Sequence, residues 1–411
     1  MSEKNSFDVI VVGSGPAGSS AAVFCSNKGF RVLLLDKEFF PRDKTCGDGI
    51  SGKSVSLLKE LGMNLSNEKV ERSMIKSLTL SSPKGEIVKL ILGEREETHV
   101  GFCCPRKSFD NLLYENAKKQ ENVTALNGFT ATDLLWEGKQ IVGIKGITKE
   151  GIELKFNAKI VVACDGANSV LRKKYGLFDS DKNNWIIALR AYYDDVEISD
   201  ENSIELHFIE GILPGYFWIF PVSKTKANVG LGIVESFVGK KNLKLKEEML
   251  KAIEENPLFK ERFKNAKIIS EIKGWRLPIA SRHRKNYGNG ILFCGDAAGL
   301  IDPFTGEGIG NALLSGKIAS VAVQNAFAVN DFSESTLTEF DELLWSKELR
   351  AELKKSTNLM NLSKYSFLLN YVIGKAAKNK AIADYLSESI KSGKYHKKIG
   401  LREFLLKLLL G

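Results

Sequence analysis

An apolar run at residues 7–12 passes through Gly13-Ser-Gly-Pro-Ala-Gly18 straight into an Ala-rich helical stretch reaching about Asn27, and a second apolar run ends on Asp36. Strand, glycine turn, helix, strand is a βαβ unit, and its crossover commits the chain to an α/β fold with parallel strands. Gly13 supplies the tight turn, Gly15 admits a pyrophosphate against the backbone, and Gly18 lets the helix pack close to the strand. Asp36, eighteen residues after Gly18, suits ribose hydroxyls. With Ser14, Pro16, Ala17 and Lys37 these residues form a dinucleotide-binding start.

Residues 295–310, GDAAGLIDPFTGEGIG, narrow the choice of dinucleotide. They follow the apolar run 290–294 and precede a helical pattern from Asn311, so they read as strand, Asp-bearing loop and helix. Asp296 at a strand end accepts from a ribitol hydroxyl. Gly306, Gly308 and Gly310 let N–H groups reach a phosphate or ring edge at a helix N-terminus, with Gly295 and Ile309 in the same loop. A ribitol contact points to FAD. Residues 159–169 add a third buried strand, ending in Asp165-Gly166, with Asn168 and Ser169 as caps of the next helix.

Between these anchors, alternating patterns such as residues 203–208 and 227–233 predict an antiparallel sheet that roofs the flavin. The expected fold class is α/β with three parts. A discontinuous Rossmann-like FAD-binding domain takes residues 1–74, 101–184 and 276–330. An antiparallel β-sheet substrate domain takes 75–100 and 185–275, and a helical C-terminal region takes 331–411.

Composition excludes several classes. With 43% hydrophobic and 27% charged residues, the 411-residue chain is an ordinary globular protein. No stretch reaches eighteen consecutive apolar residues and no signal-peptide pattern opens the chain, so neither a membrane span nor export is expected; a cytoplasmic location and a monomer are the accompanying expectations. Six cysteines without a CxxC pair and four scattered histidines argue against dithiol chemistry and a metal site. The formal charge of +9 gathers at the C-terminus, where residues 374–411 carry nine Lys or Arg against three acids. No nucleic acid is expected as a partner. Leu401, Phe404, Leu405 and Leu408 make one helical stripe bordered by Arg402 and Lys407, which suits peripheral contact with the inner face of the cell membrane. A helix packed on its own domain is the alternative reading.

The three motifs in this order, GSGPAG at 13, CDGANS at 164 and GDAAG at 295, resemble the FAD-dependent oxidoreductases built like p-hydroxybenzoate hydroxylase. Within that superfamily, KTCGDG at 44–49 and YFWIFP at 216–221 resemble the Cys-Gly-x-Gly loop and Tyr-x-Trp-x-Phe-Pro signature of the geranylgeranyl reductase family. One departure is visible: Leu213 stands where the family's leading proline usually falls, and Pro214 comes one residue late. The resemblance implies FAD contacts at Ala17, Asp36, the loop from Cys46 through Gly47 to Gly49, Arg106, Ala131, Asp165, Asp296, Gly308 and Ile309. It also implies reduction of isolated double bonds in an isoprenoid chain, carried by a lipid, a quinone or a prenyl diphosphate.

That chemistry needs a long, dry, apolar site. Proton donation to one alkene carbon develops cation character on the other, which hydride from reduced flavin quenches. Cys46, Tyr216 and Trp218 are the candidate catalytic residues: a thiol for proton donation or substrate positioning, and aromatic rings alternating along a strand as a tunnel wall. For a diphosphate, Arg276, Arg282, His283, Arg284 and Lys285 are candidate cations at the tunnel mouth. No second GxGxxG unit is present, so NAD(P)H or another electron carrier must dock transiently. The rival readings are a flavin monooxygenase of aromatic substrates, a halogenase, and a non-catalytic flavin-bound membrane adaptor. Tyr216 and Phe220 depart from the halogenase pattern Trp-x-Trp-x-Ile-Pro.

Overall fold

The strand Ser6–Val12 is central to its sheet because its side chains are apolar on both faces, and Val9, Ile10 and Val11 are fully buried. The computed structural model describes residues 5–63, 70–93 and 101–390. In this eight-stranded sheet, Ser6–Val12 lies between Glu153–Ala163 and Val32–Asp36, flanked in turn by Ile291–Phe293 and Val123–Asn127, all parallel. The antiparallel hairpin Phe129–Glu137 and Gln140–Thr148 extends from the long strand Glu153–Ala163. The helices Pro16–Ser26 and Ile309–Ala328 pack side by side over the sheet. A Cβ at Gly316 would lie 2.4 Å from the Ala17 carbonyl oxygen, so contact this close requires glycine.

A second eight-stranded sheet runs Lys267–Ile268, Trp185–Asp194, Ala227–Val234, Gly215–Pro221, Ser203–His207, Ser77–Ser81, Ile87–Ile91, with Lys273–Pro278 also paired to Trp185–Asp194. The predicted antiparallel character holds with one exception: Ser203–His207 and Ser77–Ser81 are parallel. Alternation reports which face is buried and carries no information about strand direction. Lys273–Pro278 also runs through the boundary expected at residue 276. A small sheet of Gly49–Ser51, Gly101–Cys103 and Ser73–Ile75 holds the end of the loop carrying Cys46.

The last part of the described chain is helical as expected, with Glu334–Leu344, Lys347–Ser363, Ser366–Lys378 and Lys380–Ile390. The amphipathic stripe predicted at 401–410 lies outside the described residues. Among the described residues, no helix is long and apolar enough to cross a membrane.

The strand Gly215–Pro221 divides its side chains as the alternation predicts. Phe217 and Ile219 are buried in a core cluster with Phe259, while Tyr216, Trp218 and Phe220 share the opposite face. The indole of Trp218 lies on the neighbouring strand where that strand has no side chains: a Cβ at Gly230 would stand 2.3 Å from Trp218 Cζ2. Gly230→Ala is therefore expected to cost about 1–3 kcal/mol of stability, read as a lower denaturant midpoint. An unchanged midpoint would show that both the indole and the Leu189 carbonyl, 2.2 Å from such a Cβ, give way.

Candidate active site

The glycine turn sits at the C-terminal edge of the parallel sheet, where open α/β sheets bind ligands. Gly13 has φ +101°, and a Cβ there would lie 2.3 Å from the Cys164 carbonyl oxygen, at the end of the strand that leads to Asp165. The turn opens the helix Pro16–Ser26 at Gly15 without a side-chain cap, so its first N–H groups are available to an anion. Asp36 Oδ2 accepts from the Ser14 N–H at 2.7 Å and Oδ1 from the Glu38 N–H at 2.9 Å, leaving lone pairs on both oxygens. Asn127 Oδ1, beside Asp36 in the sheet, and Asp165 Oδ1 are buried acceptors without a partner among the described residues. Burial also raises the pKa of the Asp165 carboxyl. Two orphaned acceptors and an uncapped helix along one sheet edge match the hydroxyls, amine and phosphates of an extended dinucleotide.

The loop around Cys46 crosses from this edge to the second sheet. Lys44 Nζ pairs with Asp296 Oδ2 at 2.7 Å, so the carboxylate expected at a ribitol already holds that loop against residues 295–310. Gly295 meets Ala17, since a Cβ there would lie 3.0 Å from the alanine Cβ. Gly308 caps the helix Ile309–Ala328, and Glu307 Oε1 accepts from the Gly310 N–H at 2.6 Å. The expectation that this N–H reaches a phosphate is corrected, because a carboxylate of this chain occupies it. Arg106 forms two 2.7 Å hydrogen bonds to Asp110 and also touches the Cys46 thiol. Lys37 is exposed, and Ala131 is buried in the hairpin opposite Gly146.

The aromatic face of Gly215–Pro221 closes over both loops. Cβ atoms at Gly47 and Gly49 would lie 3.0 and 3.2 Å from Phe220 Cε2. Tyr216 donates its hydroxyl to the Thr305 carbonyl at 2.5 Å, beside Gly306. Trp218 Nε1 donates to Asn228 Oδ1 at 2.9 Å, and Asn228 Nδ2 donates at 2.7 Å to both the Cys46 carbonyl and Asp48 Oδ2. Cys46, Tyr216 and Trp218, far apart in sequence, thus meet at one place.

Sequence reasoning missed the groups that hold this place together. Asp48 is fully buried at φ +68°, a conformation that Asp and Asn tolerate, and accepts from Tyr192 Oη at 2.5 Å. Burial pushes its carboxyl up to about 6, against the hydrogen bonds from Tyr192 and Asn228. Buried Arg190 holds Asp43 and the Lys44 carbonyl. Asp302 organises the turn before Gly306, its Oδ1 accepting from the Thr305 N–H at 2.8 Å and from the Ser356 hydroxyl. One signal was present: Asn228 interrupts an otherwise apolar strand, and a buried amide demands partners.

The five basic residues proposed for a tunnel mouth are already committed. Arg282 and Arg284 both pair with Asp179, His283 with Asp341, Lys285 with Glu334, and Arg276 with Glu235. They brace the segment before Ile291–Phe293, so the diphosphate role is withdrawn. Among the described residues no cluster of His, Cys, Asp and Glu has metal-site geometry.

Comparison with known proteins agrees with this geometry. Residues 6–314 match the family model of the FAD binding domain. The chain belongs to that family of FAD-dependent oxidoreductases. Within it, the chain is geranylgeranyl reductase-like. It is 33% identical over 406 residues to the digeranylgeranylglycerophospholipid reductase of Methanocaldococcus jannaschii, covering 98% of this chain and 95% of the relative. Its counterpart in Methanococcus vannielii is 30% identical over 94% and 92% of the two chains. A geranylgeranyl bacteriochlorophyll reductase-like structure from Thermoplasma acidophilum superposes with a TM-score of 0.83 at 24% identity, covering 95% and 97% of the two chains. A myxobacterial chondrochloren halogenase shares the fold at 22% identity, with a TM-score of 0.74 and coverage of 99% and 96%.

Asp48 supplies a pH test. Its folded pKa of about 6 exceeds the ordinary 3.8, so its stabilising contribution is full below about pH 4 and lost as pH rises through 6. Relative to Asp48→Asn, the wild type should lose stability between pH 4 and 7, by about 3 kcal/mol at most. Parallel stability profiles for the two proteins would contradict this assignment.

Proposed function

We propose that this flavoprotein reduces isolated C=C bonds in the geranylgeranyl chains of a membrane lipid, drawing electrons from NAD(P)H or another soluble carrier. One observation carries the reading: the apolar face of Tyr216, Trp218 and Phe220 stands directly over the loop bearing Cys46, between the two segments assigned to the flavin. Such a wall suits a prenyl chain, which has nothing but apolar surface to offer.

The glycine turn and the polar sheet edge support the cofactor-binding assignment. Gly13, Ser14, Gly15, Pro16, Ala17 and Gly18 would cradle the pyrophosphate at the helix start, and Asp36 would take the adenosine ribose. Asp165, Gly295, Asp296, Gly308 and Ile309 would line the path of the ribitol and ring, while Gly47 and Gly49 let Phe220 close against the Cys46 loop. Bound FAD, once reduced, supplies hydride. The rest falls to the chain itself. The aromatic wall holds the alkene and excludes water. Cys46 presents a thiol whose proton can pass to one alkene carbon, with Arg106 beside it to stabilise the thiolate left behind. Asn228 and Asp48 fix the backbone of the loop that carries the thiol.

Digeranylgeranylglycerophospholipid incubated with dithionite-reduced protein should gain two hydrogens per reduced bond by mass spectrometry; gain of oxygen would instead favour a monooxygenase. Cys46→Ala should keep its flavin and lose at least about a hundredfold in turnover, within the range of general acid catalysis. Unchanged turnover in this variant would remove Cys46 from the chemistry.

A further inference from the structure

The helical hairpin Lys347–Ser363 and Ser366–Lys378 carries an apolar surface that its own domain leaves open. Leu359, Leu362, Tyr365, Phe367 and Tyr371 are 38%, 50%, 45%, 65% and 44% exposed, and they follow one another around the hairpin tip. Large apolar side chains exposed singly are ordinary, but five within thirteen residues are a patch. Tyr365 and Phe367 lie with ring centroids 6.0 Å apart, and Lys364 Nζ stands 5.0 Å from the Tyr365 ring.

The hairpin's own charge through this stretch has one sign. Residues 353–383 contain six lysines, at 354, 355, 364, 375, 378 and 380, and neither Asp nor Glu. Where the second helix meets acids it does so at its start and its packed side: Glu210 accepts from Ser366, and Glu86 lies against Gly374. Aromatic and aliphatic side chains at the tip of a hairpin whose helices carry these lysines have the composition that inserts at a lipid headgroup boundary, with ammonium groups left at the phosphates.

The inner side of the same helix leads to the candidate active site. Leu369, Ile373 and Ala376 pack in a cluster with Leu213, Phe304 and Tyr216, whose hydroxyl holds the Thr305 turn. One helix therefore has its exposed face beside the patch and its buried face on the strand Ile87–Ile91, in the same apolar cluster as Tyr216.

We propose that this hairpin tip docks the protein on an anionic lipid bilayer. Delivery of lipid-borne chains to the wall of Tyr216 rests on the function proposed above, whereas the docking itself does not. The occupant is a bilayer because the patch couples exposed aromatic rings to a hairpin rich in lysine.

The test uses the full-length flavin-loaded protein, sedimented with vesicles of phosphatidylglycerol or of phosphatidylcholine alone. The expected result is binding to the anionic vesicles that weakens with salt. The combined change Leu362→Ser, Tyr365→Ser and Phe367→Ser should weaken binding at least about tenfold, with flavin absorbance and melting temperature unchanged. Lys355→Gln with Lys364→Gln and Lys378→Gln should remove the preference for phosphatidylglycerol. Full vesicle binding by the apolar variant overturns the proposal. So does a wild-type dimer in light scattering that the apolar variant converts to monomer without any effect on vesicles. Failure of the reductase reading looks different: wild-type protein binds vesicles and leaves the lipid unreduced.

Discussion

The carboxamide of Asn228 joins the two halves of this molecule. Its oxygen accepts from the Trp218 indole, and its nitrogen donates to the Cys46 carbonyl and to Asp48. One side chain thus fixes the ring that forms the wall, the loop that carries the thiol, and the carboxyl that anchors the loop. The site is buried, so each of these polar groups would be costly to leave unpaired, and the network locks both loop and wall into one arrangement. Arg190 and the Lys44–Asp296 pair hold the same loop from its other end, against the sheet and the segment 295–310 respectively.

Much of the framework was legible in the sequence because its determinants are local. The turn at Gly13, the cap at Ser169, the glycine at the start of the helix Ile309–Ala328 and the inward and outward division of Gly215–Pro221 each follow from residues within a few positions of one another. The family resemblance reached further, bringing Cys46, Tyr216 and Trp218 together before their proximity was visible.

What stayed hidden was long-range and polar. Asp48 meets Tyr192 across 144 positions and Asn228 across 180, and no periodicity links residues that far apart. Nor does sequence say whether a cation is free: Arg282 and Arg284 read as a basic patch until Asp179 appears between them. The parallel pairing of Ser203–His207 with Ser77–Ser81 was beyond reach for a related reason, since alternation is identical for both strand directions. The amphipathic stripe expected at 401–410 lies outside the described residues, while the exposed tip around Phe367 attracted no attention in the sequence because its residues read as ordinary helix.

The most direct measurement is anaerobic. Protein whose flavin has been reduced and freed of excess reductant is mixed, without oxygen, with digeranylgeranylglycerophospholipid, and the flavin absorbance is followed. An enzyme that hands hydride to an isolated alkene must regain the oxidised spectrum in step with loss of double bonds from the lipid. Flavin that stays bleached until oxygen is admitted, with the lipid unchanged, would contradict the account.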